Sequence, residues 1–228
     1  MQFASRIAFL IMYKTVIFDL DGTLLDTIGD LAAAGNYALE EMGLAVHTVD
    51  EYKYFVGNGI PKLIERMMPA NSSEADRQKA HELFSEYYER HETDRTAPYP
   101  GIAELLSEMR RRGLTALCCT NKDHIFAEKL LRGFFGEDLR EIIGAGRGFP
   151  HKPDPAAVDY LIEKYSPKET PLYVGDSGVD MQTAVNAKVP CCGVLWGFRG
   201  RGELERFSPR YIAENVSQLH DIIFGDGS

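Results

Sequence analysis

Residues 15–20, Thr-Val-Ile-Phe-Asp-Leu, open with apolar and β-branched side chains at successive positions, with no helical spacing among them. Such a run predicts a short strand buried on both faces. From residue 28 onward the apolar positions recur every three or four residues instead. Leu31, Ala34, Ala38 and Met42 predict a helix over 28–42, stopped by Gly43. Thr48 and Glu51 have the spacing of a capping box and start a second helix. After the loop Val56-Gly57-Asn58-Gly59, Pro61 opens a third. A long helix over 73–92 places Leu83, Phe84, Tyr87 and Tyr88 on its inner side.

The breaker cluster Pro98-Tyr99-Pro100-Gly101 ends this helical block. Beyond it helices and strands alternate: helix 102–112, strand 114–120, helix 123–134, strand 141–144, helix 155–165, strand 172–175, helix 180–188 and strand 191–195. A short strand at 211–213 and a helix over 216–224 follow. Alternation of this kind predicts an α/β fold, a Rossmann-like parallel sheet with helices on both faces. The all-helical block then reads as a cap inserted after the first strand. The expected division is a core of residues 1–25 and 98–228 and a cap of residues 26–97. No internal repeat or low-complexity segment interrupts it.

In an open parallel sheet, ligands bind beyond the carboxyl ends of the strands. The first such end carries Asp19 and Asp21, then Gly22 and Thr23. The second carries Thr120, Asn121 and Lys122, a loop after the third carries His151 and Lys152, and the fourth carries Asp176, Ser177 and, just beyond, Asp180. If Asp19, Asp21, Asp176 and Asp180 converge, each close pair of charges repels by about 4 kcal/mol at an effective dielectric near 20. Either some carboxylates are protonated or a cation lies among them. An oxygen-only set points to a hard ion, Mg²⁺ before Zn²⁺. Mg²⁺ accepts phosphate oxygens beside carboxylates, and Thr120, Asn121, Lys122 and Lys152 are suitable phosphate partners. One carboxylate could then attack phosphorus, while a second moves the proton of the leaving alcohol and of the water that follows. Gly22 would let the backbone turn round the phosphate, and the Thr23 hydroxyl could bond to it or brace the loop.

These motifs resemble, in order, those of the haloacid dehalogenase superfamily of phosphatases, along nearly the whole chain. The resemblance implies Asp19 as nucleophile, Asp21 as general acid/base, Thr120 with Asn121 as the second motif and Lys152 as the third. It implies a Mg²⁺ shell of the Asp19 carboxylate, the Asp21 backbone carbonyl and Asp176, with Ser177 and Asp180 in support. Gly57-Asn58-Gly59 is similar to the cap loop that meets substrate. Thr183 to Ala187 and Val194 to Arg199 resemble the phosphoglycolate phosphatase branch, so phosphoglycolate is the expected substrate. A sugar phosphomutase, an inorganic pyrophosphatase and a non-catalytic phosphate-binding protein are the alternatives.

Composition narrows the partners. The chain has 228 residues and a net charge of −9, which argues against general nucleic-acid binding. A small phosphorylated metabolite would have to be met by local cations. The four cysteines fall in two adjacent pairs, Cys118-Cys119 and Cys191-Cys192, without metal or redox spacing. They read as buried thiols in strands, and so as a sign of the cytoplasm. No stretch has the roughly 20 apolar residues of a membrane span, and the apolar run after Arg6 is too short for a signal peptide. Met12 is a candidate start, with residues 1–11 an upstream extension. A monomer and a homodimer both fit. Lys122 is left between a phosphate contact and a surface residue. Arg147 and Arg199 read as surface residues, with a place near the substrate as the alternative, Trp196 reads as packing, and His151 is given no role.

Overall fold

The structure is a computed structural model that describes residues 12–225. Whether residues 1–11 belong to the native protein lies outside them. The chain runs from β1 (Thr15–Phe18) through a two-residue strand, β2 (Leu25–Asp26). It then enters four helices, α1 (Ile28–Glu41), α2 (Val49–Phe55), α3 (Ile60–Met67) and α4 (Glu74–His91). A second two-residue strand, β3 (Ala97–Pro98), pairs antiparallel with β2. Alternation follows: α5 (Ile102–Arg111), β4 (Thr115–Asp123), α6 (His124–Phe135), β5 (Glu141–Ala145), α7 (Ala156–Tyr165), β6 (Leu172–Gly175), α8 (Gly178–Asn186) and β7 (Cys191–Val194). A four-residue helix, α9 (Arg201–Leu204), precedes β8 (Tyr211–Ala213) and α10 (Val216–Phe224).

Six strands form one parallel sheet in the order β5-β4-β1-β6-β7-β8. The chain builds outward from β1 to one side and then to the other. β1 therefore lies at the switch point, where an open sheet makes its crevice. Side chains alternate across the sheet as strand geometry requires. Val16 and Phe18 pack with α5, α6 and α10, whereas Ile17 packs with α7 and α8. The cysteine pairs split in the same way: Cys118 and Cys192 face the first layer, Cys119 and Cys191 the second. All four thiols are free and buried.

The four cap helices enclose a core of their own, built on Leu31, Leu39, Tyr52, Leu63, Ile64, Phe84 and Tyr88. The capping box at Thr48 and Glu51 is formed, and Ser73 with Asp76 makes another that starts α4. Asp30, buried in the first turn of α1, staples the entry to the exit of the cap. Its Oδ2 accepts from Arg95 N at 3.0 Å, Thr96 N at 2.8 Å and Thr96 Oγ1 at 2.8 Å. Among the described residues, no helix is long and apolar enough to cross a membrane.

Three features differ from the sequence reading. β4 continues past Thr120 to Asp123, with a register shift against β5 between Cys119 and Asp123. The polar residues Asn121 and Lys122 hid this extension, because strand extent here follows pairing and not apolar content. The ribbon of β2 and β3 is too short to carry any periodicity, since it arises from pairing across the whole cap. The charged α9 lacks an apolar stripe and is held by the single buried side chain of Leu204.

Gly35 shows how closely the cap helices pack. A Cβ there would lie 2.3 Å from the Tyr52 hydroxyl. That hydroxyl is itself fixed by donating to Asn36 Oδ1 at 3.0 Å. Alanine gains roughly 1 kcal/mol of helix propensity over glycine, but overpacking costs about 1–3 kcal/mol. Gly35→Ala is therefore expected to destabilise the protein, by about 1 kcal/mol, and a shift of the urea midpoint to lower concentration checks it.

Candidate active site

The β1–β6 ladder runs up to the first aspartate, where Asp19 N donates to Val174 O at 2.9 Å. The chain then turns back on itself through Gly22, at φ +81°. A Cβ at this residue would stand 2.4 Å from Asp176 Oδ2. Glycine is thus required twice, by the backbone angle and by the carboxylate pressed against it. Thr23 is fully buried, and its hydroxyl donates to Asp176 Oδ1 at 3.2 Å. Of its two expected roles, it takes that of a brace.

Asp19, Asp176 and Asp180 bring carboxylate oxygens within 4.8 Å of one another. Lys152 Nζ is the cation among them, 2.9 Å from Asp19 Oδ1 and 2.6 Å from Asp180 Oδ1. Asp180 has little left to offer a ligand. Its Oδ1 also accepts from Tyr173 at 3.3 Å, and its Oδ2 from Ser177 N at 3.1 Å and Ser177 Oγ at 2.6 Å. Ser177 and Asp180 together form the capping box that opens α8. Asp180 therefore holds the lysine and the helix end, which leaves Asp19 and Asp176 as the side chains able to accept a cation.

Three negative charges and one positive do not balance in a buried site. Burial, then the charge of Asp180, pushes Asp19 up to about 7 despite Lys152. Burial, with Asp180 and Asp19 behind it, drives Asp176 well above the usual carboxylate range, although Phe198 N donates to its Oδ2 at 2.7 Å. Burial would lower the Lys152 pKa, but Asp180 and Asp19 outweigh it and the ammonium is held well above its ordinary value. These shifts mark a site short of positive charge. The donors are oxygens without histidine or cysteine, so the residues present fit a hard divalent cation.

Asp19 and Asp21 open onto a narrow cavity of about 40 Å³ between core and cap. A water needs roughly 10–15 Å³ of such space, so the cavity has room for a few waters. Thr120, Asn121, Lys122, Asp176 and Ser177 line it from the core, and Leu31, Val56, Gly57, Gly59, Ile60 and Leu63 line it from the cap. Phe198 and Arg199 complete the wall. Gly22, Thr23, Lys152, Asp180 and Asn58 are not part of the lining. Lys152 is engaged with Asp19 and Asp180, and the Asn58 side chain accepts from Arg66 at 2.7 Å.

Asn121 sits at the cavity, but its side chain is committed elsewhere. Nδ2 donates to Gly57 O at 3.1 Å and to Lys152 O at 3.1 Å, and Oδ1 accepts from Lys152 N at 2.8 Å. It joins the cap loop to the loop of Lys152. Lys122 is neither a surface residue nor free. It is buried, 3.2 Å from Asp21 Oδ1 and 2.8 Å from the hydroxyl of Tyr88 on the cap. Burial lowers its pKa, and Asp21 and Tyr88 more than offset this, so it lies above the ordinary lysine value.

Arg199 corrects another expectation. It is no surface residue, because its guanidinium reaches across to the cap, donating to Val56 O at 2.9 Å and also to Lys53 O. Arg147 is exposed beside His124, as expected. Trp196 packs against the core and donates to Thr23 O at 3.0 Å. His151 meets the cap loop at Gly59, where a Cβ would stand 3.3 Å from its ring. The apolar cap wall of Leu31, Ile60 and Leu63 was invisible as a binding surface, since its spacing reads only as helix core.

Known proteins resemble this chain in sequence and in fold. Residues 16–194 match the family model of the haloacid dehalogenase-like hydrolases. A phosphoglycolate phosphatase of Pseudomonas fluorescens is 36% identical over 215 residues, covering 90% of this chain and 78% of that protein. One from Vibrio parahaemolyticus is 32% identical over 219 residues, covering 92% and 96%. A crystal structure of a predicted phosphoglycolate phosphatase from Haemophilus somnus superposes with a TM-score of 0.87 at 26% identity, covering 93% of this chain and 99% of that one. The chain belongs to the haloacid dehalogenase-like hydrolases. Within that family, it falls in the branch that resembles the phosphoglycolate phosphatases.

The buried lysine provides a test of the charge balance. Lys152→Met would leave Asp19 and Asp180 uncompensated, and breaking such a buried pair costs about 3–5 kcal/mol. The expected result is a loss of that size in urea unfolding, larger than for removal of any exposed lysine such as Lys168.

Proposed function

We propose that this protein is a Mg²⁺-dependent phosphatase of small organic phosphomonoesters, with phosphoglycolate the favoured substrate. One observation carries the reading: Asp19 and Asp21 face one small cavity with Asp176 and the buried Lys122, while the buried Lys152 pairs with Asp19. Asp19 Oδ1 is engaged by Lys152, which leaves its other oxygen to attack phosphorus and form an aspartyl phosphate. Asp21 gives a proton to the departing alkoxide oxygen, then takes one from the water that attacks the phosphorus of the acyl phosphate, so that phosphate leaves, the Asp19 carboxylate is freed and Asp21 regains its proton. The Asp19 and Asp176 side chains and the Asp21 carbonyl would hold Mg²⁺, which supplies neutralisation of charge between nucleophile and phosphoryl oxygens. Thr120, which lines the cavity, would offer its hydroxyl to the phosphate. The names of the relatives support phosphoglycolate.

Asp19→Asn is expected to lower phosphate release from phosphoglycolate by more than about 10³-fold while keeping the far-UV circular dichroism of the fold. Retained turnover would overturn the covalent mechanism. Saturating Mg²⁺, at about 100 times its dissociation constant, should add about 2.7 kcal/mol of stability. For a chain of this size that is a rise in Tm of roughly 5–10 °C. Asp176→Asn should remove the rise, as read by calorimetry with and without the metal.

A further inference from the structure

Asp21 is held by more than its own loop. Its Oδ1 accepts from Thr27 Oγ1 at 2.7 Å and from Lys122 Nζ at 3.2 Å. Neither bond uses Oδ2, so one oxygen is fixed and the other is left for the reacting groups. Thr27 is the last residue before α1 and is fully buried. Lys122 comes from the extended end of β4, on the opposite side of the cap entry.

The second partner of Lys122 lies on the cap. Its ammonium donates to Tyr88 Oη at 2.8 Å and lies 4.8 Å from the centre of the same ring. Tyr88 is fully buried in α4, stacked on Phe84 and edge-on to Phe126 of the core helix α6. A lysine this buried depends on its partners, since leaving a buried charge unpaired is strongly unfavourable. When α4 is seated, Tyr88 closes one side of the ammonium and Asp21 the other. If α4 moved away, the ammonium would lose its neutral partner and admit water, and nothing on the cap side would hold its direction toward Asp21.

We infer that Lys122 is a positioning residue, a strut from Tyr88 of the cap to Asp21 of the core, that sets the Asp21 carboxyl group to pass its proton to the leaving oxygen only when the cap is seated. The inference rests on the phosphatase reading and deepens it. It assigns Lys122 to the proton-moving aspartate and not to the phosphate, and so makes cap seating part of acid catalysis.

The leaving group separates these roles. 2-Phosphoglycolate must release an alkoxide that needs a proton, whereas p-nitrophenyl phosphate releases a phenolate that leaves without one. Rates of phosphoryl-enzyme formation would be measured by quench-flow, with enzyme in excess, for wild type, Lys122→Met and Tyr88→Phe. The expected result for Lys122→Met is a loss of about 10²-fold with phosphoglycolate, at the lower end of what general acid catalysis supplies. With p-nitrophenyl phosphate the loss should stay within about 5-fold. Tyr88→Phe, which removes one hydroxyl and spares the ring packing, should show the same selectivity with a loss of about 10-fold.

Equal slowing with both esters would overturn the inference and make Lys122 a phosphate contact or a purely structural residue. A selective loss in Lys122→Met with no change in Tyr88→Phe would overturn the tie to the cap. If Lys122→Met does not fold, Tyr88→Phe decides alone. Wild type inert toward both esters would refute the phosphatase reading itself, an outcome distinct from all of these.

Discussion

The repulsion among three buried carboxylates is the constraint around which the rest of this protein is arranged. Asp19, Asp176 and Asp180 are crowded within 4.8 Å at the ends of β1 and β6, and one lysine answers them. Such a cluster is easier to bear when its oxygens accept hydrogen bonds, as both oxygens of Asp176 and of Asp180 do. Thr23, Ser177, Tyr173 and the Phe198 backbone each donate to one of these oxygens. Gly22 is obligatory because Asp176 already fills the place of its side chain. Folding alone would not favour this arrangement, since buried like charges cost stability. A divalent cation among these oxygens would relieve the repulsion, and the oxygen donors present fit one.

Much of this was legible in the sequence, for a definable reason. The first strand, the parallel alternation and the helical insertion each leave a period in the apolar positions, and the carboxylates stand where those periods end. Asp19, Asp21, Lys152 and Asp176 could therefore be placed at one edge of the sheet before any coordinate. What sequence could not give was which oxygen goes to which partner. Asn121 and Thr23 read as ligand contacts, yet their side chains are spent on Gly57, Lys152 and Asp176. Lys122 and Arg199 read as ambiguous or exposed, because a lone cation carries no period. Both turn out to bridge core and cap. Contacts across a domain boundary are settled by tertiary approach, on which a one-dimensional pattern is silent.

Those bridges join the carboxylate cluster of the core to the helical cap at several independent points. Phe198 is the clearest: its backbone N–H bonds the Asp176 carboxylate, while its ring belongs to the hydrophobic cluster of the cap. The next residue, Arg199, holds the carbonyls at the end of α2. A shift of Asp176 is thus felt by the cap through two adjacent residues of the loop after β7.

The ribbon of β2 and β3 has a different kind of consequence. Leu25 pairs with Pro98 and Asp26 with Ala97, so the cap leaves and rejoins the core through neighbouring strands, about 4.8 Å apart. Seen from the sheet, the whole helical block occupies the place of a hairpin turn. The cost of closing such a loop grows only slowly with its length. An insertion mounted this way can be lengthened, shortened or replaced in the course of descent without disturbing the register of the strands that hold the carboxylates. The helical block and the sheet that carries the carboxylates are inherited on separable terms.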